Sequence, residues 1–516
     1  MGAGTAATFE DAAEIAEERP RHARRILIEG LSLGFLADAA MRTAPGGLGW
    51  TLWVTALALA ALNVAHHRGL RVSAEQVTWL TVAVACAAAF SWRDAEALRV
   101  ANVLGTLVAI AMFAMAAAGA PATTILVARI RDVIAGGIYT IRDLIVGTPL
   151  LVARDAQLGA LPAVRGGASW SVLRAALVTT PIVLVFAILL SRADPVFASI
   201  FRLPELHLDD VMPHVVVSGA FAWWSAGWLR GALLGVSRRP APPARFPMQL
   251  GLAEVTTSLG AVIALFAIFV TLQLRWLFAG ADVVLATTGL TVAEYARRGF
   301  FELVAVSALV LPLILGTRAL VEDARVVRRH RALSIALLAL LAAIMASALL
   351  RMALYVGYFG LSSDRMYATA IMLWLALVSG AMALTVLRGR PRPFAALTAL
   401  AGFVTLGTLN VLNPDVLITR VNLSRDDAAR TVDLPYLSHL SGDAMPMLVQ
   451  ALQVAAPSQE ACIAATTLRT HWMSEQGSPS WNIGAWQGRK AVIGTLRPSD
   501  VARLCAGASA RPSAAR

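Results

Sequence analysis

Lysine is almost missing from this chain. Lys490 is the only one among 516 residues, and every other basic side chain except histidine is arginine. Chemistry that needs an ammonium at a fixed place is thereby excluded from the apolar stretches: a Walker A loop with its lysine on the phosphates, a Schiff-base enzyme or retinal protein, a Ser-Lys dyad. Charge is scarce as well, at 15% of residues against about 25% in an average soluble chain. Cysteine is limited to three positions. The chain has no H-E-x-x-H, G-x-S-x-G or C-x-x-C motif, so no catalytic residue, metal set or cofactor is expected.

What is present is apolar length. Hydrophobic residues make up 58% of the chain, mean hydropathy is +0.67, and several runs reach the ~18 apolar residues that span a bilayer. The pattern predicts an all-α fold, a polytopic transmembrane bundle of about eleven spans with a small helical extramembrane C-terminal domain. Spans are expected near residues 26–41, 48–65, 76–92, 98–118, 170–190, 214–234, 255–278, 299–320, 332–358, 366–387 and 394–411. The first is short and holds Glu29 and Asp38, so an interfacial helix is the alternative there. About 25 polar residues precede it, and no removable signal peptide is expected.

The connections alternate between arginine-rich and arginine-poor. Arg19, Arg21, Arg24, Arg25, Arg68, Arg71, Arg154, Arg318, Arg325, Arg328, Arg388 and Arg392 belong to the rich side, and Arg42, Arg93, Arg99, Arg192, Arg202 and Arg365 to the poor one. Cytoplasmic loops accumulate arginine. The expectation is therefore a multi-pass inner-membrane protein with a cytoplasmic segment 1–25, spans over 26–118, a cytoplasmic connection 119–169, further spans over 170–413 and an extracytoplasmic domain 414–516. The net charge of +12 is then met by the anionic headgroups of the lipid bilayer, with no nucleic-acid partner. A small ligand or a protein partner is left open.

Three local patterns stand out. In the connection, Ile130, Val133, Ile134, Ile138, Ile141 and Ile145 recur at helical spacing opposite Asp132 and Asp143, which suits an amphipathic helix in the headgroup plane or a docking site for a protein. Gly30 and Gly34 form a G-x-x-x-G pair that permits close helix approach. Cys462 and Cys505 fall in the polar tail and can pair if it faces an oxidising compartment, whereas Cys86 reads as a small buried hydrophobe.

Ionisable and amide groups inside spans are costly and tend to line a bundle interior or a cavity. Gln273, Arg275, Glu302, Arg351, Asp38, Asn102 and Asn410 all fall in the arginine-poor halves of their spans. They predict an outward-facing polar cavity with a Glu302–Arg351 ion pair; structural glue between helices is the plainer reading. His207, Asp209, Asp210 and His214 have the ligand types zinc takes, although an ordinary solvated loop explains them as well.

Longer phrases carry a resemblance. Gln273-Leu274-Arg275-Trp276-Leu277-Phe278, Glu294-Tyr295-Ala296-Arg297-Arg298-Gly299-Phe300-Phe301-Glu302-Leu303, the stretch 351–365 with Tyr355, Tyr358 and Gly360, and 413–422 followed by Asp433, Tyr436, Leu437, Leu440 and Asp443 resemble bacterial integral membrane proteins grouped as domain of unknown function 4173 and its 4153 relative. The resemblance implies an inner-membrane protein without agreed catalytic residues. Its phrases add Tyr295 and Arg365 to the candidate cavity of Gln273, Arg275, Glu302 and Arg351. Small-solute transport or envelope sensing is the function expected; a transferase acting on a lipid-linked substrate, or a structural subunit, is the alternative.

Overall fold

The computed structural model describes residues 9–43, 47–117, 128, 130–158, 208–234, 249–278, 300–425, 432–474 and 481–506, with isolated positions between 175 and 190. The expected span at 170–190 otherwise lies outside the described residues. Helices make up the fold, and among the described residues nine are long and apolar enough to cross a membrane. Leu59, Leu104, Leu265, Ile268, Leu309, Leu400 and Val404 point outward from these helices, as side chains in contact with lipid tails do.

The first bundle is built from α1 (Phe9–Thr43), α2 (Leu48–His67), α3 (Ala74–Trp92), α4 (Glu96–Ala117), α5 (Ile130–Leu150) and α6 (Leu208–Leu229), around a core that includes Trp53, Leu57, Phe113 and Trp228. A capping box starts α3: the Ser73 hydroxyl accepts from the Gln76 N–H at 3.2 Å, and the Gln76 side chain accepts from the Ser73 N–H at 2.9 Å. α1 and α6 run antiparallel at close range because small residues face each other. A Cβ on Gly30 would stand 2.6 Å from the Ala226 Cβ, and one on Gly34 would strike the Ser218 carbonyl. The two acids of the first apolar run each meet a polar partner. Glu29 accepts from Asn63 at 2.6 Å, and Asp38 meets Arg42 at 2.8 Å and His214 at 2.5 Å.

The described contacts of α5 lie on the arginine-rich half of this bundle. Gly136 abuts Met115 near the end of α4, Gly147 abuts Gly227, and the Trp223 indole donates to the Ile145 carbonyl at 3.0 Å. The small residues Gly136, Thr140 and Gly147 are buried, while Ile134, Ile138, Ile141 and Ile145 are exposed. Both α5 and α6 end in a π-helical turn, Leu151–Asp155 and Arg230–Leu234. The two turns are pinned together: the Asp155 carboxylate accepts from the Arg230 Nε at 2.6 Å and from the Arg19 Nε at 2.8 Å.

The second bundle comprises α7 (Leu252–Phe278), α8 (Phe300–Ala319), α9 (Ala324–Phe359), α10 (Ser363–Leu384) and α11 (Phe394–Leu412). Ile314, Leu337, Leu341, Ile344 and Met372 fill its core. The helix that carries the expected span 332–358 starts earlier than the span itself. The Asp323 side chain accepts from the Arg325 and Val326 N–H groups at 2.7 and 3.1 Å, so α9 begins at Ala324 and its arginines are helical. His330 is buried against Thr317, Oγ1 to Nε2 2.9 Å. At 36 residues, α9 is about 54 Å long and outruns a ~30 Å hydrocarbon core.

The remaining helices, α12 (Pro414–Leu423), α13 (Leu434–Leu437), α14 (Met445–Val454), α15 (Gln459–Ser474), α16 (Ile483–Thr495) and α17 (Pro498–Cys505), form the small C-terminal domain. Leu448, Leu452, Leu468, Leu496 and Leu504 are fully buried in its own core, each contributing about 1.5–3 kcal/mol. A disulfide joins Cys462 on α15 to Cys505 on α17, with the Cα atoms 4.6 Å apart. Cys86 is buried in the first bundle.

Candidate functional site

Among the described residues a buried polar network lies where the two bundles and the C-terminal domain meet, on the arginine-poor side. Its centre is Asp443, 6% exposed at the turn before α14. One of its carboxylate oxygens accepts from the Asp94 N–H at 2.7 Å, and the other from Arg93 Nη1 at 3.4 Å and Asn413 Nδ2 at 3.3 Å. Asp94 returns the contact by accepting from the Gly442 N–H at 2.8 Å. Arg93 also donates through Nε to the Asn410 carbonyl at 2.7 Å and stacks on the Trp92 ring at 3.8 Å. Backbones approach closely at this point: a Cβ on Gly442 would lie 2.6 Å from the Gly484 carbonyl.

Two amides tie the bundles together below that turn. Asn102 on α4 and Asn410 on α11 exchange reciprocal 2.9 Å hydrogen bonds, both fully hidden from solvent or nearly so. Asn482 ties the C-terminal domain to the first bundle above. Its Oδ1 caps α16 at the Ala485 N–H, 3.1 Å, and its Nδ2 donates to the carbonyls of Phe90 and Arg93 at 3.0 and 2.8 Å. A second clamp joins the end of α9 to α12 and α13. Asn422 accepts from the Leu361 N–H at 3.0 Å and donates to its carbonyl at 2.7 Å, and the Tyr436 hydroxyl accepts from the Ser363 N–H at 2.9 Å. Gly360 fits here because its φ of 79° and the neighbouring Asn422 leave no place for a Cβ.

Asp415, 5% exposed at the start of α12, accepts from the Ser441 N–H at 3.0 Å. Burial pushes its carboxyl above the usual carboxylate range, and the charge of Asp443 adds to the rise against the Ser441 bond. The Tyr367 hydroxyl lies within electrostatic reach of both acids. Buried Tyr367 OH and Asn413 Oδ1 have no hydrogen-bond partner among the described residues. Because the folded state holds the Asp415 proton more tightly, stability should fall as pH rises from the ordinary 3.8 through the raised value, then level off. Asp415→Asn should flatten that slope and raise the melting temperature at neutral pH, as read by melting curves of the purified protein at several pH values.

Three of the six expected cavity residues, Glu302, Arg351 and Arg365, have side chains among the described residues. Tyr295 lies outside the described residues, and Gln273 and Arg275 fall in the last turns of α7, whose side chains also lie outside them. Glu302 is exposed in the first turn of α8, Arg351 is half-buried in α9, and the Arg365 guanidinium lies over the Tyr355 ring at 4.1 Å, donating to the carbonyls of Phe359 and Gly360 at the end of α9. Among the described residues no ion pair joins Glu302 to Arg351. Counted from the α8–α9 connection, Arg351 stands about ten residues further out than Glu302, or ~15 Å at 1.5 Å per residue. Among the described residues no group of three or more histidine, cysteine or acidic side chains could hold a metal. His214 is engaged by Asp38 instead.

A family model described as domain of unknown function, DUF4153, matches residues 80–451. The chain belongs to this family. The 4153 relative, rather than 4173, is thus the right one. The DUF4153 region begins inside α3 and ends inside α14, so Arg93, Asn102, Asn410, Asp415 and Asp443 fall within it, whereas α1, α2, Asn482 and both bonded cysteines fall outside. No curated protein and no solved structure matches the chain. Sequence reading had singled out Asn102 and Asn410 but not Arg93, Asp94 or Asp443 as a set. An Arg-Asp pair in a short turn between two spans was the available signal.

Proposed function

We propose that this DUF4153 protein is a multi-pass inner-membrane sensor of the cell envelope, with a cytoplasmic N-terminus and an extracytoplasmic C-terminal domain that reports to the bundle through the buried junction. The arginine distribution supports that orientation, and a disulfide in the C-terminal domain suits an oxidising compartment. The observation that carries the reading is Asp443. One carboxylate from the C-terminal domain is shared by Arg93 and Asp94 of the α3–α4 turn and Asn413 at the end of α11, so a shift of that domain must move both bundles.

Amide exchange of the reconstituted protein tests this. Asp443→Asn should speed exchange around residues 441–443 and also in the distant arginine-rich connections 318–331 and 388–392. A change confined to the C-terminal domain would mean a fixed cap, and the sensing reading fails. Membrane-impermeant maleimide on single cysteines in 318–331 and in the tail of intact cells checks the orientation separately: only the tail probe should label.

A further inference from the structure

One helix of the C-terminal domain has two unlike faces. α16 buries Gly484, Ala485, Gly488 and Val492 against the rest of the domain. Its opposite face exposes Ile483 at 49%, Trp486 at 58% and Ile493 at 41%, and Trp481 just before it at 55%. With Lys490, the three helical positions Ile483, Trp486 and Ile493 recur at steps of three, four and three, a single stripe on an α-helix. The Lys490 ammonium sits 5.2 Å from the centre of the Trp486 ring. A soluble domain this small gains nothing by presenting a tryptophan and two isoleucines to water on one stripe, with a second exposed tryptophan just before it.

The stripe begins where the membrane ends. Asn482 is bonded to the Phe90 and Arg93 carbonyls at the end of α3, and the Trp481 carbonyl accepts from the Leu48 N–H at the start of α2, 3.2 Å. Both α2 and α3 are helices long and apolar enough to span a bilayer. Tryptophan is favoured at headgroup depth, where its ring is amphipathic, and a lysine beside it can reach lipid phosphate. We propose that α16 lies in the headgroup layer of the bilayer, with Trp481, Ile483, Trp486 and Ile493 inserted at the acyl boundary and Lys490 paired to phosphate. The C-terminal domain is then held to the membrane twice, through its polar junction with the bundle and through this apolar edge. The proposal needs only that α2 and α3 cross the bilayer, and stands apart from the sensing reading.

Spin labels on Ile483→Cys and Ile493→Cys, with Cys86→Ala and the disulfide intact, test it in phosphatidylglycerol-containing vesicles. Ser499→Cys, exposed on α17, serves as the aqueous reference. Both stripe labels should respond to oxygen and be several-fold less accessible than Ser499→Cys to a water-soluble nickel chelate, and adding Trp486→Ala should move the Ile493→Cys label toward the aqueous value. Nickel access equal to that at Ser499→Cys would overturn the proposal. Shielding from both reagents would overturn it too, since protein rather than lipid would then cover the stripe. A melting temperature unchanged from the parent protein shows that the labelled variants are folded.

Discussion

Asp443→Ala should be among the most damaging single substitutions in the C-terminal domain, costing about 3–5 kcal/mol, the usual penalty for removing one partner of a buried ion pair. The carboxylate is 2% exposed and the Arg93 side chain 10%, so the guanidinium would be left in a nearly dry site without its counter-charge. The Asp94 N–H and the Asn413 amide would lose their acceptor in the same step. Asp443→Asn should cost less, because one oxygen remains to accept from Asp94. Thermal melting of the detergent-solubilised protein, followed by intrinsic fluorescence, should rank Asp443→Ala below Asp443→Asn and both below the parent. An Asp443→Ala protein that melts like the parent would show that the junction does not hold the domain in place.

The second large effect concerns the disulfide. Cys462 and Cys505 are 43 residues apart, and closing a loop of that size restricts the unfolded chain by about 4 kcal/mol in the chain-entropy account. Cys462→Ser, Cys505→Ser and the double variant should lose the same amount, since each removes the same bond. The loss should appear as earlier proteolysis and faster amide exchange in α15 and α17, with α7–α11 unchanged. A double variant clearly weaker than either single one would point to a role for the free thiols instead.

The helices were legible from hydropathy because the bilayer enforces length and satisfies nothing else. The Gly30–Gly34 pair was legible for a related reason: two small residues one turn apart have few other uses on an apolar helix, and they face α6. Asn102 and Asn410 were readable as costly groups, but not as partners, because 308 residues separate them. The depth of Arg351 relative to Glu302 was hard to read for a local cause. An aspartate cap at 323 keeps the arginine-rich stretch helical, which a loop-counting rule takes for a connection. Asp443 was hardest to see, since a Ser-Gly-Asp turn in a polar tail looks solvated until the α3–α4 turn is laid against it.

The paired π-helical turns have a consequence for how this membrane domain tolerates insertions and deletions. A π turn amounts to an α-helix holding one surplus residue, and a surplus residue rotates everything beyond it by about 100°. Asp155 closes the turn Leu151–Asp155, so that rotation sets the direction of its carboxylate, which meets Arg230 where the second turn, Arg230–Leu234, opens. The two helices are therefore locked in angular phase as well as in position, and trimming the first turn by a single residue would turn Asp155 away from Arg230, leaving the length of the chain nearly unchanged but the handshake between the helices undone.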